Sequence, residues 1–398
     1  MMELLWLLLP VAAASGWLAA RRTARHDVEP ERAVTFSSHY IKGLNYLLTE
    51  QSDRALEVFI DMVDVDPDTV ETHLILGSLF RRRGEVDRAI RIHQNLVERE
   101  NLDPAQRANA LMELGRDYMK AGLLDQAESL FKELIQLGFL QADAYRRLRA
   151  LYERERDWAN AIWASEQLCE FSTEPQNRRI AQYHCELGEM ARSKGDAPDA
   201  GRHARKALSF DQDCARAGIL MGDLALDDAN PRLAVEHYSR VMRRDAGFIS
   251  LVLPRIQDAF TRLEDARGLE SLLTELRDQH PSEATSLALA QALEARGRLD
   301  DLDTLLREEM ARDKVSLKLL PVYLRLKAQR NAATADVLPA AIGMLDRYLE
   351  GHVCNTCTQC GFQSRTHFWH CPSCQGWATI RPVDSLIDQR PETCLTPP

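Results

Sequence analysis

A chain of 398 residues with 45% hydrophobic content and 16 prolines can hold two or more domains or one long repeat array, and it is too apolar to be disordered. Its 60 acidic residues outnumber the 50 basic ones, and the net charge of −10 excludes bulk nucleic-acid binding. The nine cysteines are an odd number, and four of them stand in a pattern that works only as thiolates, which points to a reducing compartment.

Residues 4–20 (LLWLLLPVAAASGWLAA) carry no charge, and Arg21, Arg22 and Arg25 follow at once. As a helix this stretch rises about 26 Å, close to the hydrocarbon thickness of a bilayer, with snorkelling arginines making up the rest. Trp6 and Trp17 stand near its ends, where aromatic side chains anchor at interfaces. A cleaved signal peptide is the competing reading, since Ala12, Ala13 and Ala14 offer a small-residue cleavage site. The leading Met-Met-Glu lacks Lys and Arg, however, and the positive cluster lies on the opposite side. Residues 1–22 therefore read as a transmembrane anchor and 23–35 as a linker. The positive-inside rule holds everything after the anchor in the cytoplasm.

From residue 36 the chain repeats itself. Small residues recur as Gly43, Gly77, Gly115, Gly188 and Gly222, and again as Ala55, Ala89, Ala127, Ala161, Ala200 and Ala234. Successive alanines are 34, 38, 34, 39 and 34 residues apart, and a period of 34 is the tetratricopeptide signature. Each unit is a helical pair in which the small residues let the two helices approach. Large residues follow four positions on, as in Ala55/Phe59 and Ala127/Phe131, and turns at Gly84 and Gly122 separate the helices of a pair. Pro67 and Pro104 fall where a helix must stop. Six repeats span 36–248. Over 249–350 the helical pattern persists while the small-residue code decays, which suits two or three degenerate repeats or an irregular helical bundle. Trp158 and Trp163 of the fourth repeat read as packing residues.

Stacked repeats of this kind line a groove with their first helices. The usual phase puts Arg81 and Arg82 in that groove beside Arg116 and Lys120, and Arg146 continues the row. The row fits an acidic partner segment or a phosphate-bearing ligand, or else a solvated face whose arginines pair with neighbouring glutamates.

Near the C-terminus stand Cys357-Thr-Gln-Cys360-Gly-Phe and Cys371-Pro-Ser-Cys374. Two C-x-x-C pairs at this separation make two knuckles that can close around one ion in a tetrahedral four-thiolate site. Gly361 supplies a positive φ to the first knuckle, and Pro372 fixes φ in the second. A disulfide pair or four unrelated core cysteines is the alternative. One zinc or iron ion fits the site, with zinc favoured, and the wording around the cysteines is rubredoxin-like. His367 and His370 are close enough in sequence to substitute as ligands, and Cys354 could shift the register by forming C-x-x-C with Cys357. Residues 351–382 read as the metal module and 383–398, with Cys394, as a flexible tail. A module this short needs such a staple to fold.

No enzyme signature is present: neither a phosphate-cradling glycine loop, nor G-x-S-x-G, nor H-E-x-x-H. A scaffold for partner proteins is the leading class, and an electron carrier built on an iron-loaded site is a different one. The expected fold is all-α, a tetratricopeptide solenoid between an N-terminal transmembrane helix and a small zinc-knuckle domain.

In this order, the three parts resemble the lipopolysaccharide assembly protein B family of Gram-negative bacteria. The resemblance runs over nearly the whole chain. It is most specific at 1–16 (MMELLWLLLPVAAASG), 76–93 (LGSLFRRRGEVDRAIRIH), 114–127 (LGRDYMKAGLLDQA) and 369–382 (WHCPSCQGWATIRP). Cys354 and the sixteen residues after Pro382 depart from the pattern. The resemblance implies a non-enzymatic inner-membrane adaptor, facing the cytoplasm, that regulates lipopolysaccharide synthesis. It implies work with the membrane protease FtsH to promote degradation of the deacetylase LpxC, and restraint by an inner-membrane protein that senses lipopolysaccharide. Cys357, Cys360, Cys371 and Cys374 are the metal ligands it carries over. An assembly platform without proteolysis is the alternative, and homo-oligomerisation is left open.

Overall fold

The computed structural model describes residues 38–49, 51–65, 70–173, 175–311, 317–330, 338–350 and 355–383. The expected membrane span, its linker, Cys354 and the tail with Cys394 lie outside these residues, as does Pro67. Among the described residues no helix is long and apolar enough to cross a membrane.

The chain divides into two compact bodies after Ala144. In the first, three hairpins follow one another: α1 (Ser38–Leu48) with α2 (Ser52–Val65), α3 (Val70–Arg83) with α4 (Val86–Val97), and α5 (Pro104–Ala121) with α6 (Leu124–Gln136). Each pairs a glycine on its first helix with a ring on its second. A Cβ on Gly43, Gly77 or Gly115 would come within 2.7, 2.4 or 2.5 Å of Phe59, His93 or Phe131, so nothing larger than hydrogen fits. Ala55, Ala89 and Ala127 are wholly buried in the same seams. Gly84 and Gly122 turn the chain with φ of 89° and 80°, which L-residues rarely adopt. Pro104 opens α5 at its first turn, where its missing N–H costs nothing, and Asp103 with Gln106 forms a capping box before it.

The second body continues the pattern with α7 (Gln141–Glu155) and α8 (Trp158–Phe171), α9 (Asn177–Ser193) and α10 (Ala197–Phe210), and α11 (Ala215–Asp227) and α12 (Pro231–Arg244). Asp157, Asp196 and Asn230 cap the second helices by accepting a backbone N–H three residues on. Ala161, Ala200 and Ala234 are fully buried, and Gly222 lies 2.3 Å from Tyr238 by the same measure of an added Cβ. The fourth repeat inverts the arrangement. Arg149 stands where a glycine is expected, and Ser165, wholly buried, stands where the ring is expected. Three further hairpins follow: α13 (Ile249–Arg262) with α14 (Ala266–Gln279), α15 (Glu283–Ala295) with α16 (Leu299–Met310), and α17 (Leu320–Arg330) with α18 (Leu338–Glu350). The leucine-rich faces of α13 to α17 join Tyr238 and Phe248 in one continuous core.

After α18 comes a three-stranded antiparallel sheet, ordered β2 (Gln363–Ser364), β1 (Asn355–Cys357), β3 (Ile380–Pro382). Asn355 lies opposite both Ser364 and Pro382. This sheet corrects the all-helical expectation. Strands of two or three residues carry too little alternation to be read from sequence.

Candidate metal centre and its seat on the repeats

The two knuckles are built alike. Cys357 N–H donates to Phe362 O at 2.8 Å and Gly361 N–H donates to Cys357 O at 2.9 Å. In the second knuckle Cys371 N–H donates to Gly376 O, and Gln375 N–H to Cys371 O, both at 2.9 Å. Gly361 and Gln375, each directly after a knuckle's second cysteine, have φ of 76° and 57°. Only the first was legible, because it is a glycine.

These folds bring Cys357, Cys360, Cys371 and Cys374 together, with their sulfurs all within 4.8 Å of one another. Cys357 to Cys374 and Cys360 to Cys371 are each 3.7 Å. Four sulfurs at about 2.3 Å from one tetrahedral ion lie about 3.8 Å apart, so the residues fit a single metal ion without rearrangement. Protonation chemistry agrees. Burial opposes ionisation of Cys357, yet the Thr379 hydroxyl and the backbone N–H groups of Cys360 and Gln359 pull its thiol down to about 6. At Cys374 the Gly376 N–H favours the thiolate, but burial and the neighbouring sulfurs outweigh it and push the thiol up to about 12. Clustered thiolates repel one another, and a bound cation would offset that repulsion.

His367 and His370 are not among the clustered ligands. His367 Nε2 lies 3.2 Å from Ile380 O, and His370 Nε2 lies 3.0 Å from Gln375 O. Instead, both help seat the module on the repeats of its own body. Trp377 packs edge-on against Trp158 and Tyr183, at 5.9 and 5.7 Å between ring centres, while His370 stacks on it at 4.4 Å. Its indole N–H donates to Glu153 Oε1 at 3.2 Å, a carboxylate that also accepts from the Tyr183 hydroxyl and from Arg179. A second contact lies at the end of the sixth repeat. Trp369 meets Phe248 at 5.1 Å, and Arg381 lies 3.9 Å above the same ring while bonding Asp245 at 2.8 Å. Trp158 thus does more than pack its own repeat. None of these seat residues was singled out from sequence as a contact of the module. The available signal was its aromatic load, Phe362, Phe368, Trp369 and Trp377, more than so small a fold can bury by itself.

The arginines expected in the groove have different surroundings. Arg81 is half-buried and bonds Glu113 at 2.6 Å and Asp117 at 2.7 Å, and Arg116 bonds Glu113 at 2.5 Å. Asp117 is also met by His93 Nδ1, and both groups are fully buried. Arg82 and Lys120 are exposed in the same body. Arg146 lies in the second body and is half-buried.

Helical hairpins with a small–large seam, closed by a four-cysteine knuckle, define a mostly helical tetratricopeptide-type protein with a rubredoxin-like metal site. Family models agree: a tetratricopeptide repeat matches residues 72–108, and a rubredoxin metal binding domain matches 356–382. Lipopolysaccharide assembly protein B of Escherichia coli K12 is 36% identical, covering 97% of this chain and 99% of its own. The Haemophilus influenzae protein of the same name is 30% identical with the same coverage of both chains. The chain belongs to the lipopolysaccharide assembly protein B family. Among solved structures, MamA superposes at a TM-score of 0.33 and 22% identity, covering 46% of this chain and 95% of its own.

Proposed function

We propose that this chain is a non-catalytic adaptor in lipopolysaccharide biosynthesis, anchored in the bacterial inner membrane by residues 1–22 with its bulk in the cytoplasm. In this reading it presents the deacetylase LpxC to the membrane protease FtsH, and a membrane regulator that senses lipopolysaccharide restrains it. The observation that carries the reading is the seat of the metal module. Glu153 on the repeats and Trp377 on the module, far apart in sequence, are bonded to each other, which suits a scaffold that presents both parts to a partner. Zinc is the ion proposed, since closed four-thiolate sites of this kind commonly hold it as a structural ion.

The test replaces Cys371 and Cys374 with serine and follows LpxC lifetime in growing cells, with metal content measured on purified protein. Loss of metal together with long-lived LpxC is the expected result. Metal loss with normal LpxC turnover would remove the module from regulation. Zinc is colourless, so a visible absorption band and iron content would overturn the choice of ion. The word "assembly" in the relatives' name favours a second reading, a platform gathering lipopolysaccharide proteins without proteolysis. Unchanged LpxC abundance in cells lacking the protein would select it.

A further inference from the structure

Two cysteines that the metal site does not use meet inside the second body. Cys185 lies in the middle of α9, and Cys214 directly precedes α11 as its N-cap. Their sulfurs are 3.8 Å apart, and the two residues are 0% and 4% exposed, packed among Ala181, Ala207 and Ala217. A disulfide holds its sulfurs about 2.0 Å apart, so closing the bond takes about 1.8 Å of approach between side chains that already touch.

The two thiols are not equivalent. Cys214, with Leu208, Gly218, Arg240 and Val241, lines a cavity of about 20 Å³ at the seam between the fifth and sixth repeats, and Cys185 does not. One water needs about 10–15 Å³ of such space, so a molecule the size of hydrogen peroxide enters and glutathione does not. Cys185, by hydrogen bonding, holds the Cys214 thiol below its ordinary range against burial, and the Ala217 N–H of the first helical turn adds to the effect. Burial first, and then Cys214 itself, push the Cys185 thiol well above its range. The reachable sulfur is therefore also the one that ionises more readily. Gln182 stands beside it: its Nε2 donates to Cys214 Sγ at 3.5 Å, while its Oε1 is buried with no partner. That oxygen can accept from the S–O–H group that oxidation would place there.

We infer that Cys214 and Cys185 form a reversible oxidation site, in which hydrogen peroxide oxidises Cys214 and Cys185 resolves it to a disulfide joining α9 to α11. The Cys214 thiolate attacks one peroxide oxygen and the O–O bond breaks. Hydroxide leaves and recovers, as water, the proton that Cys214 had released. Cys185 then attacks the sulfur of the sulfenic acid: the S–S bond forms, the S–O bond breaks, and the oxygen departs as a second water with the Cys185 proton. Two thiols lose two electrons to one peroxide, and a dithiol reductant returns them. A transient disulfide of this kind is compatible with a reducing compartment. The inference is independent of the adaptor reading and of the metal site.

The experiment treats the full-length, metal-loaded, reduced protein with hydrogen peroxide or with glutathione disulfide, and reads each cysteine by differential alkylation and mass spectrometry. Peroxide in modest excess links the Cys185 and Cys214 peptides, and dithiothreitol separates them again. Glutathione disulfide links them at least about tenfold more slowly, since it does not fit the cavity. Cys185→Ser leaves Cys214 as a sulfenic acid that dimedone labels, and Cys214→Ser leaves Cys185 unmodified. The assignment is overturned by the absence of the linked peptide at a peroxide concentration that oxidises the exposed Cys169. Linkage as fast with glutathione disulfide, dimedone on Cys185 rather than Cys214, or pairing of either cysteine with a cysteine of the metal site overturns it equally.

Discussion

At the scale of single residues, the fold depends on a few places where nothing may be added. Gly77→Ala drives a methyl into the buried His93 ring, which is itself held by Asp117. Overpacking of this kind costs about 1–3 kcal/mol, so a urea titration should show a lower midpoint with little change in slope. A second residue-scale expectation concerns pH. Burial, and then the nearby His203 and Lys206, bring the His184 pKa down from 6.5 to about 4, and the two imidazoles face each other with Nδ1 atoms 3.1 Å apart. The unfolded chain therefore takes up a proton at His184 before the folded one does. Its contribution is intact above about pH 6.5 and is lost as pH falls toward 4. His184→Asn should flatten that part of the stability profile, and an unchanged slope would remove His184 from the account. The groove residues also sort at this scale. Since Arg116 already serves Glu113, reversing its charge would destabilise the third repeat, and the groove is better tested with Arg82→Glu and Lys120→Glu. Those two should weaken capture of protein partners in a pull-down without lowering the melting temperature. Small residues at fixed spacing were legible because backbone contact permits nothing else. Arg149 and Ser165 of the fourth repeat were not, because neither residue carries the glycine or ring that marks its position elsewhere.

At the scale of elements, the knuckles could be read from sequence, since metal chemistry fixes both residue type and spacing. The sheet joining them could not, because its strands are too short to show a period. The seat on the repeats was hidden for a different reason: its partners are separated by up to 224 positions, and no local pattern links Glu153 to Trp377. Truncating Trp377 to alanine should leave the four sulfurs and their ion in place while freeing the module. We expect unchanged metal content, a loss of about 2–4 kcal/mol in stability, and faster hydrogen exchange over 355–382. Stripping the metal with a chelator should go further and unfold the sheet itself, as structural zinc supplies about 10–16 kcal/mol in small peptides. Helical content, carried by the repeats, should remain nearly whole in far-ultraviolet circular dichroism.

At the scale of the whole molecule, repeats contribute stability by nearest-neighbour contact, so damage stays near where it is made. Function in the proposed reading depends instead on place. Removing residues 1–22 should leave a folded body that fails to restore regulation in cells lacking the protein, because local concentration at the membrane is lost. Full complementation by that truncation would refute the need for an anchor.

The seat of the metal module also imposes an order on the chain's own synthesis. Trp158, Tyr183 and Asp245 leave the ribosome well over a hundred residues before Trp377 and Arg381 exist to cover them. The repeats can close locally as they emerge, while the last contacts wait for the C-terminus and for an ion. A cell short of that metal would accumulate chains with finished repeats and a bare aromatic patch, the kind of surface that chaperones and proteases read as incomplete. Metal supply would then act on this protein as a birth checkpoint, setting how many copies survive before any of them meets a partner.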